Sequence, residues 1–246
     1  MYATLILATL ITSLVSGVLS MAGGILLMGV FGFFLAVPAA MVLHGVAQTA
    51  SNGSRAWLYR HDVRWNVLPP YLAGASVVLL IFAAVAFIPD KGLLFILIGS
   101  FPFVALILPV AINLDMERAP VAFSSGLLVT SAQMLAGASG PVLDIFYANT
   151  RMTRFQILGT KAITQTLGHI IKSVYYAMFL VSVSSTHLPL WIYPATVVAA
   201  LFGNVAGKQV IEKISDDQFK IAGRYVIMII GALFIAKGIQ EVIQNG

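Results

Sequence analysis

One polar pattern occurs twice in this chain. His44, Gln48, Asn52 and Arg55 are matched, 117 residues further on, by Lys161, Gln165, His169 and Lys172. The shared form is a basic residue, three others, Gln, three others, Asn or His, two others, and a second basic residue. On a helix these positions fall within about an 80° arc, so each set shares one face. The groups offered are cations and neutral hydrogen bonders, which suits holding an anion. Gln48 and Gln165 are mid-helix, uncharged and identical in the two halves. They bind a solute or join neighbouring helices as polar glue. Lys161 lies near its helix start, so it either touches or gates a substrate or snorkels to the membrane surface. Arg55 ends its helix and reads as a topology anchor or a gate. Lys172 sits deeper, where a charge costs about 2.5–3.5 kcal/mol on insertion scales and calls for a functional or ion-pairing role. Asp144 is a carboxylate far from any loop. It pairs with Lys161 or Lys172, or carries a coupling proton. His44 and His169 are able to titrate near neutral pH.

No enzymatic set accompanies these residues. The sequence has no Walker loop, no HExxH and no nucleophile elbow. It has no cysteine, which excludes disulfides, thiolate zinc sites and iron–sulfur clusters. No cofactor, no metal and no nucleic-acid partner is expected.

The elements that position the pattern are apolar. Of 246 residues, 59% are hydrophobic and 9% charged, with a mean hydropathy of +0.95. A soluble domain carries roughly 25% charged residues, so most of this surface must face lipid. The net charge of +5 comes from basic residues at span ends, as the positive-inside rule requires. Spans of about 20 apolar residues are predicted at 3–22, 39–60, 66–88, 92–112, 118–137, 155–183, 188–207 and 220–243. The start of the chain lacks a basic n-region and reads as a retained first helix.

Two apolar pieces, 25–37 and 141–150, are too short to span. Each follows a small-residue break, Ser20-Met21-Ala22-Gly23-Gly24 or Gly137-Ala138-Ser139-Gly140-Pro141. Irregular backbone at membrane depth requires burial in protein or a wet cavity. Each piece is therefore predicted to be a half-helix returning from a break near the midplane. Their first turns present unpaired N–H groups and partial positive charge. Gly23 and Gly24 allow close approach of a ligand, and Pro141 suits a helix start. Two such N-termini facing each other form an anion site.

Charge orients the halves. Arg55 to Arg64 follows the second span, whereas Arg151 and Arg154 precede the matching span 155–183. Corresponding helices then run in opposite directions. The expected fold is an all-α membrane protein of two inverted-topology repeats, 1–113 and 118–246, in one integrated domain. Each repeat has about five segments, four spans plus one half-helix. Broken helices in inverted repeats are a transporter design with the substrate site near the midplane.

The breaks and the helices after them resemble the TauE/SafE (sulfite exporter) family of membrane permeases. The residues that carry the likeness are Ser16 to Gly24, Pro38-Ala39-Ala40 through Ala47-Gln48-Thr49, and Leu135 to Pro141 through Lys161-Ala162-Ile163-Thr164-Gln165. Members often have a longer glycine run than Gly23-Gly24. The resemblance implies a multi-pass protein of the cell (inner, cytoplasmic) membrane. It further implies ion-gradient-driven movement of sulfite, sulfoacetate or another organosulfonate. A passive anion channel and a carrier of a non-sulfur solute are the alternatives. The expected substrate-binding set is Gly23, Gly24, His44, Gln48, Asn52, Gly140, Pro141, Lys161, Gln165 and His169, with Asp144, Lys172 and Arg55 in coupling or gating. The expected partners are a small anion, the lipid bilayer and a second copy in a homodimer.

Overall fold

The computed structural model describes residues 1–19, 22–111, 114–180, 188–211 and 216–245. Ser20 and Met21 of the first break, and the ends of the predicted spans 92–112 and 155–183, lie outside the described residues. Among the described residues all regular structure is helical. The order is α1 (Tyr2–Leu19), α2 (Ala22–Phe34), α3 (Val37–Leu58), α4 (Leu68–Val85), α5 (Lys91–Ala111), α6 (Ala119–Ala136), α7 (Gly140–Tyr147), α8 (Arg154–Leu180), α9 (Ile192–Ile211) and α10 (Asp216–Asn245). A short 3₁₀ turn, Trp65–Val67, precedes α4.

Proline opens α3, α4, α6 and α7 within their first two positions. Its missing N–H is harmless there and its fixed φ suits a helix start. Among the described residues, two helices end in the left-handed region: α6 at Gly137 (φ 76°) and α4 at Ala86 (φ 52°). Gly137 is the natural residue for such a cap, because a Cβ is strained in that conformation. The turn it makes separates α6 from α7.

Burial is inverted relative to a water-soluble protein. Leu7, Ile11, Leu80, Ile81, Val85, Met178, Phe202 and Leu233 are exposed, while His44, Gln48, Asn52, Gln165, His169 and Lys172 are buried. An apolar exterior around a polar interior is the arrangement that lipid demands. Trp65–Val85 and Ala119–Ala136 are long and apolar enough to cross a bilayer by length and composition. Tyr2–Ser16, Gly23–Phe34, Lys91–Ala105 and Ile192–Gly207 are shorter apolar stretches. The helices α3 and α8, 22 and 27 residues long, are of spanning length. They fall short on hydropathy because they carry the repeated polar face.

The helices associate in four main pairs: α3 with α8, α1 with α9, α4 with α6, and α5 with α10. The α3–α8 pair is antiparallel. His44 approaches His169 and Lys172, Gly53 faces Thr166, and Tyr59 stacks on Phe155. The α5–α10 pair is antiparallel too, with Gly92 against Gly238 and Gly99 against Gly231. At these crossings each helix backbone lies where the other's side chain would be, which only small residues permit. Helices α1 and α9 run parallel from the Tyr2–Trp191 ring contact to Gly203, which packs on Leu10 and Ser13. Helices α4 and α6 begin together where Arg64 pairs with Glu117 at 3.2 Å.

Candidate functional site

The polar faces of α3 and α8 meet in the interior, beside Gly24 and the α6–α7 break. A cavity there is lined by Gly24 and Ser16 on the α1–α2 side and by Ala138, Ser139 and Gly140 at the α6–α7 break. From α3 come His44, Gln48, Asn52 and Arg55, and from α8 come Leu158, Lys161, Ala162, Gln165 and His169. The cavity volume, counted as space for the centres of water molecules, is about 40 Å³. One water needs roughly 10–15 Å³ on that measure, so a few waters or one small solute fit.

Hydrogen bonding fixes how the α3 side chains point. Arg55 can only donate, and its Nη2 lies 2.8 Å from Asn52 Oδ1. That assigns the other Asn52 terminus as the amide nitrogen, which donates to Gln48 Oε1 at 3.1 Å and to the Gln48 carbonyl at 3.0 Å. With its oxygen occupied, Gln48 has its NH₂ left over. Gln48 Nε2 and Gln165 Nε2 are both buried without a hydrogen-bond partner among the described residues. A buried donor left unmade costs about 1–3 kcal/mol. The same amide atom is left over at matched positions of the two halves.

The cations are distributed unequally. Lys161 forms an ion pair with Asp144 of α7. Asp144 itself is not on the cavity wall. Lys172 is fully buried behind the wall, where Nζ donates to the Gly137 carbonyl at 2.7 Å and lies 2.9 Å from His44 Nδ1. His44 Nε2 lies 2.9 Å from the Gly24 carbonyl. The His44 and His169 rings are 5.3 Å apart, centroid to centroid, and His169 Nδ1 is buried without a partner.

Of the expected binding residues, Gly24, His44, Gln48, Asn52, Gly140, Lys161, Gln165 and His169 line the cavity, and so does Arg55. Gly23 and Pro141 do not. Gly23 packs on α1, where a Cβ would meet the Thr12 carbonyl and the Ser16 side chain. Pro141 is buried in the first turn of α7, following Gly140. Ser16 and Ser139 line the cavity as well, outside the expected set. Ser139 Oγ donates to Gln133 Oε1 at 3.4 Å, and Gln133 Nε2 is another buried donor without a partner. Ser16 and Gln133 are themselves related by the 117-residue shift, which was the available signal.

No curated protein and no solved structure matches the chain. The sequence matches the family described as Sulfite exporter TauE/SafE over residues 5–234, and the chain therefore belongs to that family of membrane permeases.

Proposed function

We propose that this protein is a secondary transporter of the cell membrane that moves a small sulfur oxyanion, such as sulfite, sulfoacetate or another organosulfonate, by alternating access coupled to an ion gradient. The observation that carries the reading is the pair of unpartnered donors, Gln48 Nε2 and Gln165 Nε2, supplied by α3 and α8 to the lining of one small cavity. An oxyanion is a pure acceptor, and two amide donors flanked by Lys161 and Arg55 complement it in both geometry and charge. The first turns of α2 and α7 add oriented backbone N–H groups beside Gly24 and Gly140. The cavity volume favours an ion of sulfite size in this conformation, with wider opening needed for a longer sulfonate.

Alternating access rests on the repeat. The halves 1–113 and 118–246 are read as inverted copies, in which α1 to α5 correspond to α6 to α10. Exchanging the halves turns the α1–α9 pair into α6–α4 and leaves α3–α8 and α5–α10 as self-pairs. Inversion requires self-pairs to be antiparallel, as these two are. Rocking one half against the other around a fixed central site is the motion such a scaffold supports.

The test is thermal stabilisation of the purified protein by sulfite, sulfoacetate, taurine and sulfate, followed by anion counterflow in proteoliposomes. Stabilisation by at least one sulfur oxyanion is expected, together with its counterflow. If no anion shifts the melting temperature and none exchanges, the anion assignment is wrong. Uphill accumulation under an imposed ion gradient separates a carrier from a passive channel.

A further inference from the structure

His44 lines the cavity and Lys172 lies buried behind it, and together they join both breaks. Lys172 reaches the carbonyl of Gly137, the cap that ends α6. His44 reaches the carbonyl of Gly24 in the first turn of α2. Between them, Nζ and Nδ1 are 2.9 Å apart. A carbonyl can only accept, so His44 must carry a hydrogen on Nε2. Its Nδ1 is then a lone pair aimed at Lys172. The chain of atoms from one break to the other is therefore carbonyl, imidazole, amine, carbonyl, with one titratable proton between the two nitrogens' owners.

Among the described residues the surroundings supply no carboxylate that is not already paired. Helices α2 and α6 present backbone carbonyls and have no ionisable side chain. Helix α7 brings Asp144, which is committed to Lys161, and Tyr147. Helices α4 and α9 bring Tyr71 and Tyr193. On α8 itself, Tyr176 donates to the Met134 carbonyl, and Tyr175 donates to those of Phe82 and Phe87. The remaining neighbours, His169 and the cavity-lining Arg55, add positive charge or none. An ammonium at this depth with only neutral acceptors is costly, by about 2.5–3.5 kcal/mol even on lenient scales. A negative charge arriving in the cavity, one side chain away across His44, is what removes that cost.

We infer that Lys172 and His44 together form a proton-binding site that fills when an anion enters the cavity, so that anion and proton are bound as a pair. This rests on the anion reading above. The proton comes from water and is held on the dyad, and no bond other than N–H is made. By linkage the anion raises proton affinity by the same factor as the proton raises anion affinity. One proton taken up per anion makes Kd rise tenfold for each pH unit above the range in which the dyad is filled.

The experiment uses a sulfonate or sulfate, which does not itself titrate between about pH 6 and 9. Its Kd for the full-length protein is measured across that range by calorimetry, in two buffers of different ionisation enthalpy. The expected result is uptake of close to one proton per anion, with Kd weakening toward tenfold per pH unit. In Lys172→Gln, binding at the most alkaline pH is expected to persist while the slope flattens. A wild-type Kd that is flat in pH with no proton uptake overturns the inference and leaves the anion site standing. A wild-type slope retained in Lys172→Gln also overturns it. If that variant does not fold, the two-buffer measurement on the wild-type protein still decides. Failure of any sulfur oxyanion to bind at any pH would instead remove the underlying anion reading.

Discussion

Asn52 Nδ2 donates to Gln48 Oε1 at 3.1 Å, and that single bond decides which end of the Gln48 amide is left without a partner. Arg55 fixes the direction by donating to Asn52 Oδ1. Reversing the relay should reverse the amide. In Asn52→Asp, both oxygens accept, so Gln48 turns its NH₂ toward residue 52 and its carbonyl toward the cavity. Anion affinity is expected to fall by about 10–100-fold, the scale of one or two hydrogen bonds to a charged group. Gln48→Ala and Gln165→Ala should lose binding to a similar extent while staying folded. Calorimetric titration alongside a melting curve checks this. Wild-type affinity in both alanine variants would remove the glutamines from the site.

Lys161 and Asp144 form the ion pair at the cavity edge, with side-chain exposures of 12% and 46%. The half-open carboxylate limits the coupling to about 1 kcal/mol, toward the upper end for solvent-accessible pairs. A double-mutant cycle with Lys161→Met and Asp144→Asn should return that coupling in stability. Anion binding should fall in Lys161→Met and be less affected in Asp144→Asn. Equal losses in both would show that the pair acts as one unit on the substrate.

Opposed orientation of the halves predicts a labelling pattern. The native chain contains no cysteine, so single cysteines are clean reporters. Trp65 and Leu190 are exposed. A cysteine at Trp65 should react from the cytoplasmic side, and one at Leu190 only from outside. Labelling of both from the same side contradicts the inverted arrangement.

Ala86 ends α4 with φ 52°, a conformation that costs a non-glycine residue roughly 1–2 kcal/mol. Ala86→Gly should therefore raise the melting temperature and leave anion affinity unchanged. A lower melting temperature would mean that the extra freedom of glycine in the unfolded chain outweighs the relieved strain.

The polar faces of α3 and α8 were legible in the sequence because helical periodicity alone puts His44, Gln48 and Asn52 on one side. The repeat then supplied their partner helix. The contacts that cross a break were not legible. Lys172 meets Gly137 only because the left-handed cap turns the α6 end toward α8. No local signal encodes the direction of that turn. The neighbours Gly23 and Gly24 show the same limit. They are about 100° apart on α2, so one packs on α1 and the other lines the cavity. The sequence names both as small, and only packing assigns the faces. The 117-residue shift also weakens beyond α3 and α8. Helix α4 starts at Leu68, but α9 starts at Ile192, later than the shift would place it. Loops tolerate insertions that a buried polar face does not.

The pairing of α3 with α8 also bears on how the chain enters the bilayer. Helix α3 is made early and carries a polar face that lipid alone does not satisfy, whereas its partner begins only at Arg154. At ribosomal speeds of about 5–20 residues per second, α3 waits on the order of 5–20 s for α8. During that interval it must be sheltered by the insertion machinery or remain incompletely seated. A chain truncated before residue 154 should leave α3 poorly inserted in a glycosylation-mapping assay, and full insertion there would show that α3 needs no partner to cross.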